Sequence, residues 1–486
     1  MNYPALFFWL LIVWSVTASR GTLLVLLLAS MPFASLALLP PAMIHVSILP
    51  QSMFAVVLIL KVLAPQLTPL SPKLLIALRL RHLGYLALFL LVGIVATAIM
   101  PKLFAREVFI IPMSAAFQGA DLLSSTMQNF TQFGYVTLSV AMVFAVTLMA
   151  DEPWFTKTLL IGALAGGIVC IVTGLIDLAA ASAGMEGLLK PFRNADYAYL
   201  TEVSIAGQKR VVGFTPEASA YGPICVNFAA AILLLRPFFR EGRQRVFATT
   251  IGILLVWMAV LSTSSSAYLG LAVLGLAYSA NLVRRMVFSS PLGQRGLLGE
   301  LFMGLAAIAA VLFVLIASAD LFDPLLNTIN EVIFRKPLSG SFYERSFWNT
   351  TAWQTVAATW GLGVGFGSTR TSSWIAAIVS NAGLIGAAFM AIFLLQTFAR
   401  RPMCGTAWSR ELLAGLKLSL LPALALLAVD APGPDFGLWV GVVFGAIAGV
   451  AAFHPGRSSI GQVAVYTRKP SRVEASPAWN PVIDVD

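Results

Sequence analysis

Residues 374–398 read WIAAIVSNAGLIGAAFMAIFLLQTF, a run without one ionisable side chain. A hydrocarbon layer about 30 Å thick is crossed by roughly 20 apolar residues in a helix, and a helix satisfies every backbone N–H and C=O inside its own segment. The stretch is therefore a membrane-spanning helix. Working outward from it, the same pattern predicts helices over 4–18, 22–39, 47–65, 83–100, 132–150, 158–182, 217–236, 246–262, 263–283, 298–318, 411–429 and 435–453. The expected fold is all-α, a polytopic integral membrane protein of about 12–13 transmembrane helices. The first two helices are short and flank Arg20, and they decide both the count and the side on which the N-terminus lies. Composition agrees: the 486 residues are 59% hydrophobic and 11% charged with mean hydropathy +0.87, whereas soluble domains are roughly a quarter charged.

No cleavable signal peptide is read at the start. There is no early basic region, Arg20 interrupts the apolar run, and a second apolar segment follows at once, so the first helices are expected to remain in the mature protein. The formal net charge of +10 is an orientation signal, because basic residues gather in certain loops. Arg236, Arg240, Arg243 and Arg245 form one group, Arg284, Arg285 and Arg295 a second, Arg400, Arg401 and Arg410 a third, and the tail carries Arg457, Arg468, Lys469 and Arg472. These mark the cytoplasmic side. The segments 101–131, 183–217 and 319–373 carry balanced charge and are assigned to the other side. The chain thus divides into one helical membrane domain, 1–453, with external loops at 183–216 and 319–373, and a tail, 454–486, rich in Ser, Pro and Arg and expected to be disordered in the cytoplasm. The lipid bilayer is the partner this implies; nucleic acid is not.

Cys170, Cys225 and Cys404 lie in or beside apolar segments without short spacing, and the only histidines are His45, His82 and His454. They specify neither a disulfide framework nor a metal site, so no metal and no other cofactor is expected. Helix interiors hold almost no ionisable groups. Lys417, about two turns from the cytoplasmic end, is read as snorkelling to the interface. Such an interior argues against a proton- or sodium-coupled carrier.

Polar chemistry gathers outside. In 121–135, DLLSSTMQNFTQFGY, a polar run leads into a helix as helix caps do. The segment 208–222 contains KRVVGFTPEASAYG, with Pro216 and Glu217 where a first helical turn favours them. That accounts for Glu217 and leaves Arg210 unexplained. Between Phe342 and Trp360, helical spacing sets Tyr343, Phe347 and Trp348 near one side with Arg345 and Asn349 beside them. These rings serve either as interfacial anchors or as platforms for sugar faces. The run Gly361, Gly363, Gly365, Gly367 is no dinucleotide fingerprint, since no strand precedes it. Two readings of it stand, a flexible connection or a concavity of backbone N–H groups for an anion, with Ser368, Thr369 and Arg370 following at once.

Four patches together resemble the bacterial O-antigen polymerase and O-antigen ligase superfamily of membrane glycosyltransferases: NFTQFGY at 129–135, RVVGFTPEASAYG at 210–222, LSTSSSAYLGLAVLGL at 261–276, and ERSFWNTTAWQTVAATWGLGVGFG at 344–367 continuing to SNAGLIG at 380–386. The matching positions are Arg210, Gly213, Glu217 and Ser219, then Arg345, Gly363, Gly365, Gly383 and Gly386. The resemblance implies a C-type glycosyltransferase-like fold with a large external loop. It also implies residence in the bacterial inner membrane, a site on the periplasmic side, an undecaprenyl-diphosphate-linked glycan as substrate, and a chain-length regulator or flippase as partner. Two departures stand out. Ser265-Ser266 occupies a place where the family carries Ser-Arg, and no histidine follows the glycine turn, where ligases of the family carry their proposed base. Polymerase for O-antigen, capsule or exopolysaccharide is therefore preferred over ligase, with a non-enzymatic lipid-glycan flippase as the reading from a different class.

On this reading Arg210 and Arg345 clamp the leaving diphosphate, because a guanidinium binds phosphate oxygens in a planar fork and stays charged. Arg370 is a third clamp. Glu217 either takes the proton of the acceptor hydroxyl or orients Arg210 by an ion pair. Tyr221, Tyr343, Gly363 and Gly365 complete the expected substrate contacts.

Overall fold

The computed structural model describes residues 3–39, 47–67, 70–113, 119–197, 199–201, 204–205, 208–288, 290–302, 304–305, 340–403 and 405–453. Most of the helix predicted over 298–318, the part of the large loop at 319–339, the tail 454–486, and Cys404, His45 and His454 lie outside the described residues. Helices dominate: α1 (Tyr3–Ser15), α2 (Arg20–Ser30), α3 (Pro50–Leu67), α4 (Pro72–Ala77), a π turn at Leu80–Gly84 leading into α5 (Tyr85–Leu103), α6 (Met127–Met149), α7 (Phe155–Ser182), α8 (Ala218–Leu234), α9 (Gly242–Leu261), α10 (Ser265–Phe288), α11 (Gly340–Ala358), α12 (Trp374–Ala399), α13 (Ala407–Val429) and α14 (Gly437–Ala452). The protein is a multi-pass helical membrane protein. Among the described residues, 8 helices are long and apolar enough to cross a membrane, and α1, α2, α8 and α14 are shorter apolar helices.

The helix predicted over 22–39 is cut short. It ends at Ser30, 11 residues in all, and at about 1.5 Å per residue covers roughly half a hydrocarbon layer. Pro32 lies just beyond and donates no N–H to a continuing helix. The chain instead turns, and Ser35 N donates to Phe214 O at 3.0 Å, tying this segment to the loop that carries Arg210. The all-α expectation meets one small exception: two antiparallel two-residue hairpins, β1 (Phe109–Ile110) with β2 (Asp121–Leu122), and β3 (Ser204–Ile205) with β4 (Gln208–Lys209), both in the external segments.

Neighbouring helices make one continuous apolar core. Where α14 crosses α6, Gly441, Gly445 and Gly449 repeat every four residues, and a Cβ on them would meet the Ser139, Val143 and Thr147 carbonyls at 3.0, 2.7 and 2.7 Å. Small residues at this spacing let two backbones approach in a membrane. The basic loops meet at one end. There Arg236 and Arg285, both buried, bracket the buried Glu300, with Arg285 Nη1 2.7 Å from Glu300 Oε2 and Tyr278 O–H donating to the same carboxylate at 3.0 Å. Arg284 pairs with Glu411 at 2.7 Å. Strands β1 and β2, the described residues of 183–217, α11 and the 430–436 turn gather at the other end.

Candidate functional site

Arg210 leaves β4 and is held from the side. Its Nε donates to Thr263 Oγ1 at 3.1 Å and Ser262 O at 3.3 Å, and its Nη2 to Thr263 O at 3.3 Å. These acceptors sit in the turn between α9 and α10, where Thr263 takes a positive φ of 45°. A residue with a Cβ is rarely found there and the conformation costs about 1–3 kcal/mol, so the surrounding packing enforces it. The stretch 261–276, noted for lacking a basic residue of its own, thus supplies the seat for one. The backbone after Arg210 is fixed from below by Asp177 of α7. This fully buried carboxylate accepts Val212 N at 2.9 Å, Gly213 N at 3.2 Å and Arg193 Nη2 at 2.7 Å.

Arg345 and Arg370 come from the other loop. Arg345, on the second turn of α11, pairs through Nη2 with Asp430 Oδ1 at 3.2 Å. Arg370 stacks its guanidinium 4.1 Å above the Trp348 ring, also on α11, and its buried Nε meets no hydrogen-bond acceptor among the described residues. Asn349 and Ser372 exchange two hydrogen bonds of 3.0 Å, locking α11 to the segment after Arg370.

The two loops meet. Burial lowers the pKa of both Arg210 and Arg370; Glu217 raises both and Arg345 depresses both, with Glu344 adding its support to Arg370. Three cations and two carboxylates therefore share one electrostatic neighbourhood at one end of the bundle, although Arg210 and Arg345 are far apart in the chain. No protein-family model matches the chain, and no curated protein does. Among the described residues no three of His, Cys, Asp and Glu gather as metal ligands.

Glu217 sits at the entry of α8 in the N-cap position rather than in the first turn, and its side chain makes no capping bond but accepts from Ser219 Oγ at 2.6 Å. The ion pair expected with Arg210 is not a direct one among the described contacts; Glu217 acts on that guanidinium at longer range. Tyr343 stands exposed near Phe342 at the start of α11. Tyr221 does not reach the site. It is wholly buried, its O–H donates to Cys170 O at 2.8 Å, and it fills the space left by Gly174 and Gly213, which makes it a packing residue between α7 and α8.

The glycine run departs from its expected role as well. Gly363 N donates to Thr359 Oγ1 at 3.2 Å, Val364 N to Ser380 O at 2.9 Å, Gly365 N to Asn381 O at 2.9 Å and Phe366 N to Thr97 Oγ1 at 3.0 Å. These N–H groups already have acceptors inside the protein, so Gly363 and Gly365 form no anion cradle. They are glycines because φ is 81° and 88° and because a Cβ would strike the Gly383 N and Ala96 O backbone atoms. Asn129, in the 129–135 patch, caps α6 and also donates to Phe366 O and Ser368 Oγ, each at 2.8 Å, so the patch clamps this turn.

Sequence reasoning assigns no role to the 430–436 turn, DAPGPDF, yet the structure does. It supplies Asp430 to Arg345, Ala431 O to Thr371 Oγ1 at 3.0 Å, Pro432 O to Thr371 N at 3.1 Å and Pro434 O to Trp374 Nε1 at 2.9 Å. Its two acids between two apolar helices are the signal that could have found it. Burial pushes the Asp435 carboxyl up to about 6, with hydrogen bonds from Ser139 and Gly437 N opposing. A carboxyl whose folded pKa is raised stabilises the fold most below its ordinary value near 4, and that contribution is lost as pH rises through about 6. Asp435→Asn, which keeps the acceptor for Gly437 N, is expected to raise thermal stability at pH 7.5 by up to roughly 3 kcal/mol and to give no gain at pH 4. Melting curves of the two proteins in detergent at both pH values check this; an equal shift at both would refute it.

Proposed function

We propose that the protein is a membrane polymerase of bacterial surface polysaccharide. It transfers a glycan from undecaprenyl diphosphate onto the end of a second lipid-linked repeat unit, with the site on the periplasmic face of the inner membrane. The supporting observation is the meeting of Arg210, Arg345 and Arg370 from two external loops beside Glu217. In the reaction the acceptor hydroxyl oxygen bonds to the donor's anomeric carbon, the bond from that carbon to the diphosphate breaks, and the diphosphate leaves with the electron pair. Negative charge grows on the leaving group, and preorganised cations aimed at developing charge commonly contribute more to such catalysis than any other effect. Arg210 is anchored through Nε and Nη2 and keeps Nη1 for a phosphate oxygen; Arg370, stacked on Trp348, adds its charge. Glu217 takes the acceptor proton, and Ser219 holds its carboxylate in place.

A lipid and glycan profile of a strain lacking the protein separates the readings. Single repeat units accumulating on the lipid carrier support polymerase. Full-length polymer left unattached would show a ligase, and repeat units held on the inner face would show a flippase. Restoring the strain with Glu217→Gln is expected to lower polymer yield by about 10²–10⁴-fold, the range for losing a general base, with the protein present in the membrane at its normal level. Polymer at normal yield would exclude Glu217 as base.

A further inference from the structure

Arg400 follows the last residue of α12, at the end of the bundle opposite Arg370; 26 helical residues, or roughly 39 Å, separate the two ends. Its Nη2 donates to His82 O at 2.5 Å in the π turn before α5, and neighbouring Gln396 Nε2 donates to Leu80 O at 3.0 Å. Arg400 Nε and Nη1 are shut off from solvent and meet no acceptor among the described residues. Burial alone pushes this guanidinium down to about 10, with no carboxylate acting to raise it. Its neighbours repeat its charge. Arg79 lies on the π-turn side, Arg401 follows in the chain, and Lys417 of α13 approaches, donating to Phe398 O at 2.6 Å and Arg400 O at 2.5 Å. Arg79 and Arg81 are exposed, and so are the apolar side chains of Leu80 between them and of Leu395, which precedes the Gln396 that bonds Leu80 O.

Arg400 is part-exposed, and a charged guanidinium with two nitrogens closed off from water and unpaired among the described residues is costly unless an anion meets its remaining nitrogen, Nη2. A cluster of cations at helix ends, bordered by exposed leucines, matches one ligand chemistry: a phosphate ester carrying hydrocarbon chains. We propose that the junction of the π turn with the end of α12 is a binding site for the headgroup phosphate of an anionic membrane lipid, with Arg400 as the inner contact, Arg79 and Arg81 as the outer ones, and Leu80 and Leu395 against the acyl chain. Basic pockets between helices on the cytoplasmic side bind anionic headgroups by this combination of charge and position. The site does not depend on the polymerase reading, since it lies at the other end of the molecule.

The test uses the full-length protein in a neutral maltoside detergent. Thermal melting and native mass spectrometry are recorded with phosphatidylglycerol, with phosphatidylcholine and with inorganic phosphate. Phosphatidylglycerol is expected to raise the melting temperature by several degrees and to stay bound in the spectrometer, with phosphatidylcholine and millimolar phosphate inert. Arg400→Gln is expected to weaken that binding about tenfold or more, and so is the doubly substituted Arg79→Gln, Arg81→Gln protein, whose exposed positions leave folding intact. Equal effects of the two lipids, or an undiminished phosphatidylglycerol effect in both variants, would overturn the site. Protection by inorganic phosphate equal to that by phosphatidylglycerol would overturn the lipid assignment in favour of a free anion.

Discussion

Replacing Arg210 with alanine is expected to abolish chain elongation, lowering polymer yield at least 100-fold while the protein inserts and melts as before. Removing one preorganised donor to a developing oxyanion costs about 10²–10³ in rate, and here the lost group is a full charge. Its anchors explain why lysine should fare little better. Arg210 contacts Thr263 Oγ1, Ser262 O and Thr263 O through Nε and Nη2, and a lysine ammonium cannot hold that seat and present a second donor to a phosphate at once. The side chain is part-buried and makes polar contacts only, so neither substitution removes a side chain from the apolar core. A ladder of glycan lengths from a deletion strain carrying each variant, read beside membrane protein level, is the measurement. Polymer of normal length from both variants would remove Arg210 from the clamp. Arg345→Ala is expected to act in the same direction, since it breaks the pair with Asp430 at 3.2 Å and takes a cation from the same neighbourhood.

Arg210, Arg345 and Arg370 were legible in the sequence because charge is scarce in this chain, and a cation outside the basic loops stands out against so apolar a background. What brings them together was not legible. Asp430 reaches Arg345 from the far side of two helices, and the Thr263 seat of Arg210 depends on a positive φ that no residue type announces. Asp177 was visible as a carboxylate within an otherwise apolar run, and intramembrane carboxylates are functional by default, yet it fell inside a helix counted by its hydropathy. Helix positions read from apolar length were largely right for α5, α7, α10 and α12. They ran long at α2, where Pro32 and the bond from Ser35 to Phe214 end the helix. The glycine run shows the limit most clearly: its alternation suggested unfilled N–H groups, and the acceptors that fill them, Ser380 and Asn381, lie in a helix whose interruption the hydropathy of 374–398 conceals.

That interruption supports the second large prediction. Within α12, Gly383 adopts φ 71° and ψ 178°, a region essentially reserved for glycine. The break releases Ser380 O and Asn381 O to accept Val364 N and Gly365 N, and sends Leu384 N to Gly361 O at 2.8 Å. A Cβ at Gly383 would collide with the Leu362 carbonyl, whose carbon lies 2.6 Å away. Backbone strain of about 1–3 kcal/mol then adds to a steric clash that only separation of the two segments relieves, so Gly383→Ala is expected to cost more than about 4 kcal/mol and to shorten or eliminate the polymer. Gly275 in α10 is the control: a Cβ there meets nothing within 4 Å, and alanine should be neutral or stabilising by about 0.5–1 kcal/mol. Size-exclusion profiles and melting temperatures in detergent compare the two, and a Gly383→Ala protein melting with the wild type would mean that the break is not required. Loss of polymer means different things in the two variants: at Arg210 with the fold intact it reports on chemistry, and at Gly383 with the fold lost it reports on the scaffold that presents Arg370.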